Sequence, residues 1–307
     1  MLALIATAFF MAWAIGANDS AKAVGTAVGS GIVGFKRAVL IIAVFTTLGA
    51  VIGHSAVSST VAGLAGGMGE GHVALVLFSA ALAVTVASLL GMPISTTQSI
   101  IGALVGSSLA LGLPIEWGVI LRIASAWVLS PILAGLLAII VYRLYKPVLR
   151  GIRCLKTLEL TQKWLVFLAS AYSAFNLGTN ELANVIGLSR GSFHSNLFLS
   201  LVLTLGALTF SYEVMKTVGK DIAPLGPTSA FASQFGASLA VTVANLLGLP
   251  VSSGQAIVGA IGGLSLYKGE RVNKKLLFDI AKNWVRAPLI AGILAFVFVR
   301  LFSGLGF

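Results

Sequence analysis

The stretch "LAVTVASLLGMPISTTQSIIGALVG" (Leu82–Gly106) returns 157 residues later as "LAVTVANLLGLPVSSGQAIVGAIGG" (Leu239–Gly263). At the same offset, "IASAWVLSPILAGLLAIIVYRL" (Ile123–Leu144) matches "IAKNWVRAPLIAGILAFVFVRL" (Ile280–Leu301). A third block, "GANDSAKAVG" from Gly16, returns as "GTNELANVIG" from Gly178. Three matched blocks in one order mean a tandem duplication, so the fold must be buildable twice from one unit. The expected division is a first repeat over 1–150, a basic linker over 151–162 and a second repeat over 163–307.

Composition decides the solvent. The 307 residues are 58% hydrophobic and only 9% charged, where soluble domains carry about 25% charge. So much apolar side chain cannot be hidden inside one chain of this size. The expectation is an all-α polytopic membrane protein, with 35 glycines allowing close helix packing. Each repeat holds about five apolar segments. They lie near 2–16, 38–57, 73–91, 94–113 and 118–144, then near 163–178, 195–214, 229–249, 251–267 and 277–302. Several approach the 20 residues that cross a bilayer, while those opening at Pro93 and Pro250 are short and glycine-rich.

The net charge of +11 does not signal nucleic acid, because the basic residues fall between apolar segments. Lys36 and Arg37 form one cluster, and Arg143 to Lys163 a second across the linker. Lys216 with Lys220, and then Lys268 to Lys275, form the third and fourth. With five crossings per repeat all four clusters fall on one side, which the positive-inside rule makes cytoplasmic. Both termini are then outside, and Arg190 is the main exception. An odd number of crossings inverts the second repeat relative to the first. If the Pro93 and Pro250 segments are instead broken helices or re-entrant hairpins, another segment must restore the parity. The single cysteine, Cys154, forms no internal disulfide, and His54, His72 and His194 share no motif that would hold a metal.

Inverted repeats interrupted at matching positions are the pattern of a secondary transporter whose site lies near the membrane midplane. The first expected interruption is the Asn-acid pair, Asn18–Asp19 and Asn180–Glu181. The second follows a proline: Ser95, Thr96, Thr97 and Gln98 after Pro93, and Ser252, Ser253, Gly254 and Gln255 after Pro250. A helix restarting after proline presents backbone N–H groups and the positive end of its dipole, and hydroxyls beside it add donors suited to an oxyanion. Asparagine and carboxylate oxygens nearby are hard ligands for Na⁺ or a seat for H⁺. Charged residues inside a membrane normally have a task or a partner. Gly25, Gly29, Gly102, Gly106, Gly259 and Gly263 fit helix packing instead, and Trp127 and Trp284 fit packing or interfacial anchoring.

"GANDSAKAVGTAVGS", "GTNELANVIG", "PISTTQSIIGALVG" and "PVSSGQAIVGAIGG" together resemble the inorganic phosphate transporter (PiT) family over nearly the whole chain. The resemblance implies cation-coupled uptake of inorganic phosphate into the cell, a homodimer in the cell membrane and a site built from both repeats. It implies no organic cofactor beyond Na⁺ or H⁺ as the coupling ion. By position, Asn18, Asp19, Asn180, Glu181 and Asn184 resemble the family's cation and anion site. Ser95, Thr96, Thr97, Ser252 and Ser253 resemble its hydroxyl cradle.

Four departures stand out. Lys22 replaces the motif's second Asn in the first repeat, and Glu181 replaces an Asp. Gln98 and Gln255 stand where the family often has His, and Gly254 removes a hydroxyl. Lys22 is three residues after Asp19, so on a helix the two can pair and the ammonium can take over the role of one coupling cation. The alternative is that Lys22 snorkels to the membrane surface. Loss of both His residues makes sulfate the runner-up substrate. An ion channel would not need paired acids, and an intramembrane aspartyl hydrolase would not need the hydroxyl cradle.

Overall fold

A computed structural model describes residues 1–53 and 56–303 of the chain. His54 and residues 304–307 lie outside them. Regular structure among the described residues is helical throughout. The first repeat contains α1 (Leu2–Gly29), α2 (Phe35–Ile52), α3 (Ala56–Leu64), α4 (Glu70–Leu89), α5 (Thr96–Leu111) and α6 (Trp117–Gly151). The second contains α7 (Leu155–Leu177), a π-helical turn (Gly178–Leu182), α8 (Ala183–Ser189), α9 (Phe193–Lys216) and a further π-helical turn (Thr217–Asp221). It ends with α10 (Pro227–Leu246), α11 (Ser253–Lys268) and α12 (Lys274–Ser303).

The duplication is visible residue for residue in these bounds. Adding 157 to the limits of α4 and α5 gives those of α10 and α11. Six helices, α1, α2, α4, α6, α9 and α12, are long and apolar enough to cross a bilayer. The ten expected segments therefore separate into classes. α5 and α11 have only 16 residues each, and α7 and α10 are longer but carry more polar side chains. The outer faces remain apolar. Leu121, Leu129, Ile132, Leu136 and Leu144 of α6 are all exposed, as a lipid-facing surface requires.

Two boundaries differ from expectation. The basic linker expected over 151–162 is largely helical, with only residues 152–154 between α6 and α7. The basic residues there ride on helix ends, where their aliphatic stems can lie along apolar surface. The helix expected to end near residue 16 runs on to Gly29. The chain opens no break at Asn18–Asp19, since those side chains reach sideways to the next hairpin and leave the backbone ladder of α1 intact.

Close packing exchanges elements between the repeats. α1 and α9 run parallel, with Gly16 against the Leu203 carbonyl and Gly29 against Gly219. α2 and α7 form the equivalent parallel pair, with Gly49 against the Phe175 carbonyl and Thr46 donating to the Ala174 carbonyl at 3.0 Å. Further on, α5 lies along α12, Gly102 against Pro288 and Gly106 against Gly292. In the same way α11 lies along α6, with Gly259 against Pro131 and Gly263 against Gly135. Each repeat's short helix is thus held by the other repeat's last helix. In lipid such contacts depend on small residues that let backbones approach. Gly106→Val places a side chain on the Gly292 backbone and should lower stability by about 1–3 kcal/mol. Thermal unfolding in detergent checks this, with Gly118→Ala as the control because its side has open space.

Candidate functional site

The two proline motifs break their helices as expected. Gly91 and Gly248 take φ of +65° and +66° to leave α4 and α10, a conformation open to glycine at no steric cost. The chain then restarts as α5 and α11. Ser95 Oγ accepts from the Gln98 amide at 3.2 Å, and Ser252 Oγ accepts from the Gln255 amide at 3.3 Å. These two serines therefore serve as helix caps, with only their O–H groups left to donate elsewhere.

α4 runs alongside α1. The chain's amino group meets Glu70 at 3.0 Å at one end, and Asn18 meets the end of α4 near the middle of α1. Asn18 Nδ2 donates to Ser88 Oγ and to the Met92 carbonyl, both at 3.0 Å, and Asn18 Oδ1 accepts from the Ile94 amide at 3.1 Å. One residue on, Asp19 is fully buried. It accepts from Thr96 Oγ1 through one carboxylate oxygen and pairs with the Lys22 ammonium through the other. Lys22 Nζ also donates to the Ile94 carbonyl at 2.5 Å and is only 2% exposed. The snorkelling alternative is excluded, and the i,i+3 pairing is what forms.

The second repeat builds the same place differently. A π-helical turn carries Asn180 and Glu181, an extra residue per turn of the kind often found at functional sites. Asn180 Nδ2 donates to Asn245 Oδ1, as Asn18 does to Ser88, and positions 88 and 245 are equivalent in the duplication. Glu181 Oε1 accepts from the Ser253 amide at 3.0 Å, so the carboxylate itself sits at the start of α11. Asn184 Nδ2 donates to Thr97 Oγ1 at 3.2 Å and so joins the two repeats. Lys22 makes the reciprocal crossing. A Cβ added at Gly254 would lie 2.9 Å from Lys22 Cε and 3.2 Å from its Nζ.

All four motifs therefore meet in one buried region. Within it, Glu181 Oε2, Asn180 Oδ1, Asn184 Oδ1, Gln98 Oε1, Gln255 Oε1 and Ser253 Oγ have no hydrogen-bond partner. Five of these six are acceptors only, and one is a carboxylate oxygen. Buried polar groups are normally satisfied, so this cluster is suited to hold cations and a ligand that brings its own protons.

Several supporting residues were not anticipated. Gln234 of α10 donates to the Lys22 carbonyl at 3.1 Å and to Ser173 Oγ at 2.7 Å, while accepting from Thr26 at 2.6 Å. It ties α1, α7 and α10 together beside the site. Trp127, expected as a packing or anchoring residue, donates its indole N–H to the Pro250 carbonyl at 3.0 Å. Ser88 and Asn245 stand in the repeated block as one mismatch among several. Nothing along the chain singles out Gln234.

Comparison with known proteins bears on the family and the fold. The profile of the phosphate transporter family matches residues 15–295. A protein of Methanocaldococcus jannaschii named "Putative phosphate permease" is 34% identical over 294 residues, covering 95% of each chain. One of the same name from Thermococcus kodakarensis is 30% identical, covering 97% of each. A solved structure described as "The sodium-dependent phosphate transporter" superposes with a TM-score of 0.87 over 99% of this chain and 98% of that one, at 23% identity. That likeness is one of fold. With the motifs, the helices and the profile in agreement, the chain is a membrane-embedded transport protein rather than an enzyme, and it belongs to the phosphate transporter family.

Proposed function

We propose that the chain imports inorganic phosphate together with Na⁺ or H⁺ by alternating access, with the buried motif cluster as the shared site. The observation that carries this reading is the double crossing between repeats. Asn184 of one acid motif reaches Thr97 of the other repeat's cradle, while Lys22 lies against Gly254. A site held in common by two repeats can be exposed to either side as they rock against each other.

Helix directions support an inverted arrangement. α1 and α9 run one way, and α2 and α7 the other. α5 follows α12, while α11 follows α6. In this reading α1, α2 and α6 cross in the first repeat, and α7–α8, α9 and α12 cross in the second. The hairpins α4–α5 and α10–α11 enter from opposite sides and return. Three crossings per repeat keep the odd parity that places the termini outside and the basic loops in the cytoplasm. Asp19 then lies about 25 Å along α1 from Leu2, near the bilayer centre.

The surplus of buried acceptors favours phosphate over sulfate. At neutral pH phosphate still carries a proton to donate, whereas sulfate has none. The test is uptake of radiolabelled phosphate into proteoliposomes under an inward Na⁺ or H⁺ gradient, with unlabelled sulfate as competitor. Saturable, gradient-driven uptake that excess sulfate leaves unchanged is expected. Saturable uptake of sulfate alone would overturn the substrate, and unsaturable conductance would overturn the mechanism.

A further inference from the structure

Two of the differences between the repeats, at Lys22 and at Gly254, are not independent. In the duplication Lys22 stands opposite Asn184 by its place in the acid motif, and Thr97 stands opposite Gly254. The structure joins these positions crosswise. Asn184 faces Thr97 across the repeat boundary, and Lys22 faces Gly254. One crossing is a short amide hydrogen-bonded to a hydroxyl. The other is a long ammonium laid against a residue with no side chain. A Cβ at Gly254 would lie 2.9 to 3.2 Å from Lys22 Cδ, Cε and Nζ, so the end of the lysine would have to shift from its place between Asp19 and the Ile94 carbonyl.

The groups around the two positions differ in the same sense. Lys22 Nζ engages a carboxylate oxygen of Asp19 and the carbonyl oxygen of Ile94, which are the hard ligands a sodium ion would take. At the equivalent second position, Glu181 Oε2 and Asn184 Oδ1 are buried with no partner, and Val251 occupies the place of Ile94 in the repeat. Asn184 adds a ligand suited to a metal ion beside the carboxylate. A carboxamide oxygen coordinates a metal ion but does not take up a proton at neutral pH.

We infer that Lys22 and Gly254 are a matched pair that builds a covalently attached cation into the first of two equivalent acid positions. The Glu181–Asn184 position is then left as the one exchangeable sodium site among the described residues. The inference rests on the proposed phosphate uptake and adds its stoichiometry: one sodium ion per phosphate. It also makes a structural demand. Exchanging both members, Lys22→Asn with Gly254→Thr, rebuilds at the first position the amide–hydroxyl pair seen at the second, and with it a second sodium site.

The experiment is paired uptake of ²²Na⁺ and ³²P-phosphate into proteoliposomes, with equilibrium ²²Na⁺ binding to the purified protein. In the native chain one sodium should enter per phosphate, and uptake should rise with the first power of sodium below saturation. The double variant should bind a second sodium and rise with the second power. Gly254→Thr alone should lose uptake, because its side chain falls on Lys22. Two sodium ions per phosphate in the native chain would overturn the inference, as would uptake driven only by protons. An unchanged sodium dependence in a folded double variant would do the same. Should the double variant not fold, the native ratio decides by itself. If phosphate is not transported at all, the function proposed above fails instead. The binding measurement still counts sites, with one per chain supporting the matched pair and none or two refuting it.

Discussion

Glu181→Gln should reduce phosphate uptake by about 100-fold while leaving the protein folded. The substitution keeps the shape, and the amide oxygen can still accept from the Ser253 N–H that now lies 3.0 Å from Glu181 Oε1. What it removes is the negative charge on a buried oxygen that has no other partner. At the effective dielectric suited to buried sites, a close charge pair is worth about 4 kcal/mol, close to a thousandfold in binding. The amide dipole retains part of that, hence the smaller figure. Initial uptake rates in proteoliposomes, set beside a thermal melt, separate lost cation binding from lost structure. A variant that melts normally and transports at the native rate would remove Glu181 from the site.

Asp19→Asn should act mainly on stability. Lys22 is 2% exposed and has Asp19 as its counter-charge. Neutralising the carboxylate strands an ammonium inside the membrane protein, a change that costs about 3–5 kcal/mol when one member of a buried pair is removed. Combining Asp19→Asn with Lys22→Met should recover most of that loss, because no charge then remains to be compensated. Transport should not recover with it. Unfolding midpoints of the two single variants and the double variant in detergent form the cycle that measures the coupling. Additive losses would show that the two charges do not depend on each other.

Much of this was readable along the chain because it follows from local chemistry. The duplicated blocks predicted matching elements, and α4–α5 and α10–α11 match to the residue. Pro93 and Pro250 predicted the two breaks. The spacing of Asp19 and Lys22 predicted their pairing, which needs only a helix. The failures share one cause, dependence on contacts between distant segments. Asn18 and Asn180 have the same identity, yet α1 continues through the first while a π-helical turn carries the second. The two asparagines also meet different partners, Ser88 of α4 in one case and Asn245 of α10 in the other. The short helices α3 and α8 carry too few residues to show a periodicity. Gln234 lies in a segment that reads as one more apolar helix, and its three partners are on helices far away in the chain. Gly254 read as a missing hydroxyl. Only the approach of Lys22 shows that the space is occupied.

The exchange of short helices between repeats also sets an order of events during synthesis. α5 leaves the ribosome about 160 residues before α12, the helix whose Pro288 and Gly292 it rests against. Until then the glycine face of α5 has lipid or an insertion factor for company, and the first acid position stands beside a half-closed hairpin. A ribosome stalled before α12 would therefore leave inserted helices without a finished protein. The short helix of the first half thus gains its packing partner only when a helix of the second half has been made.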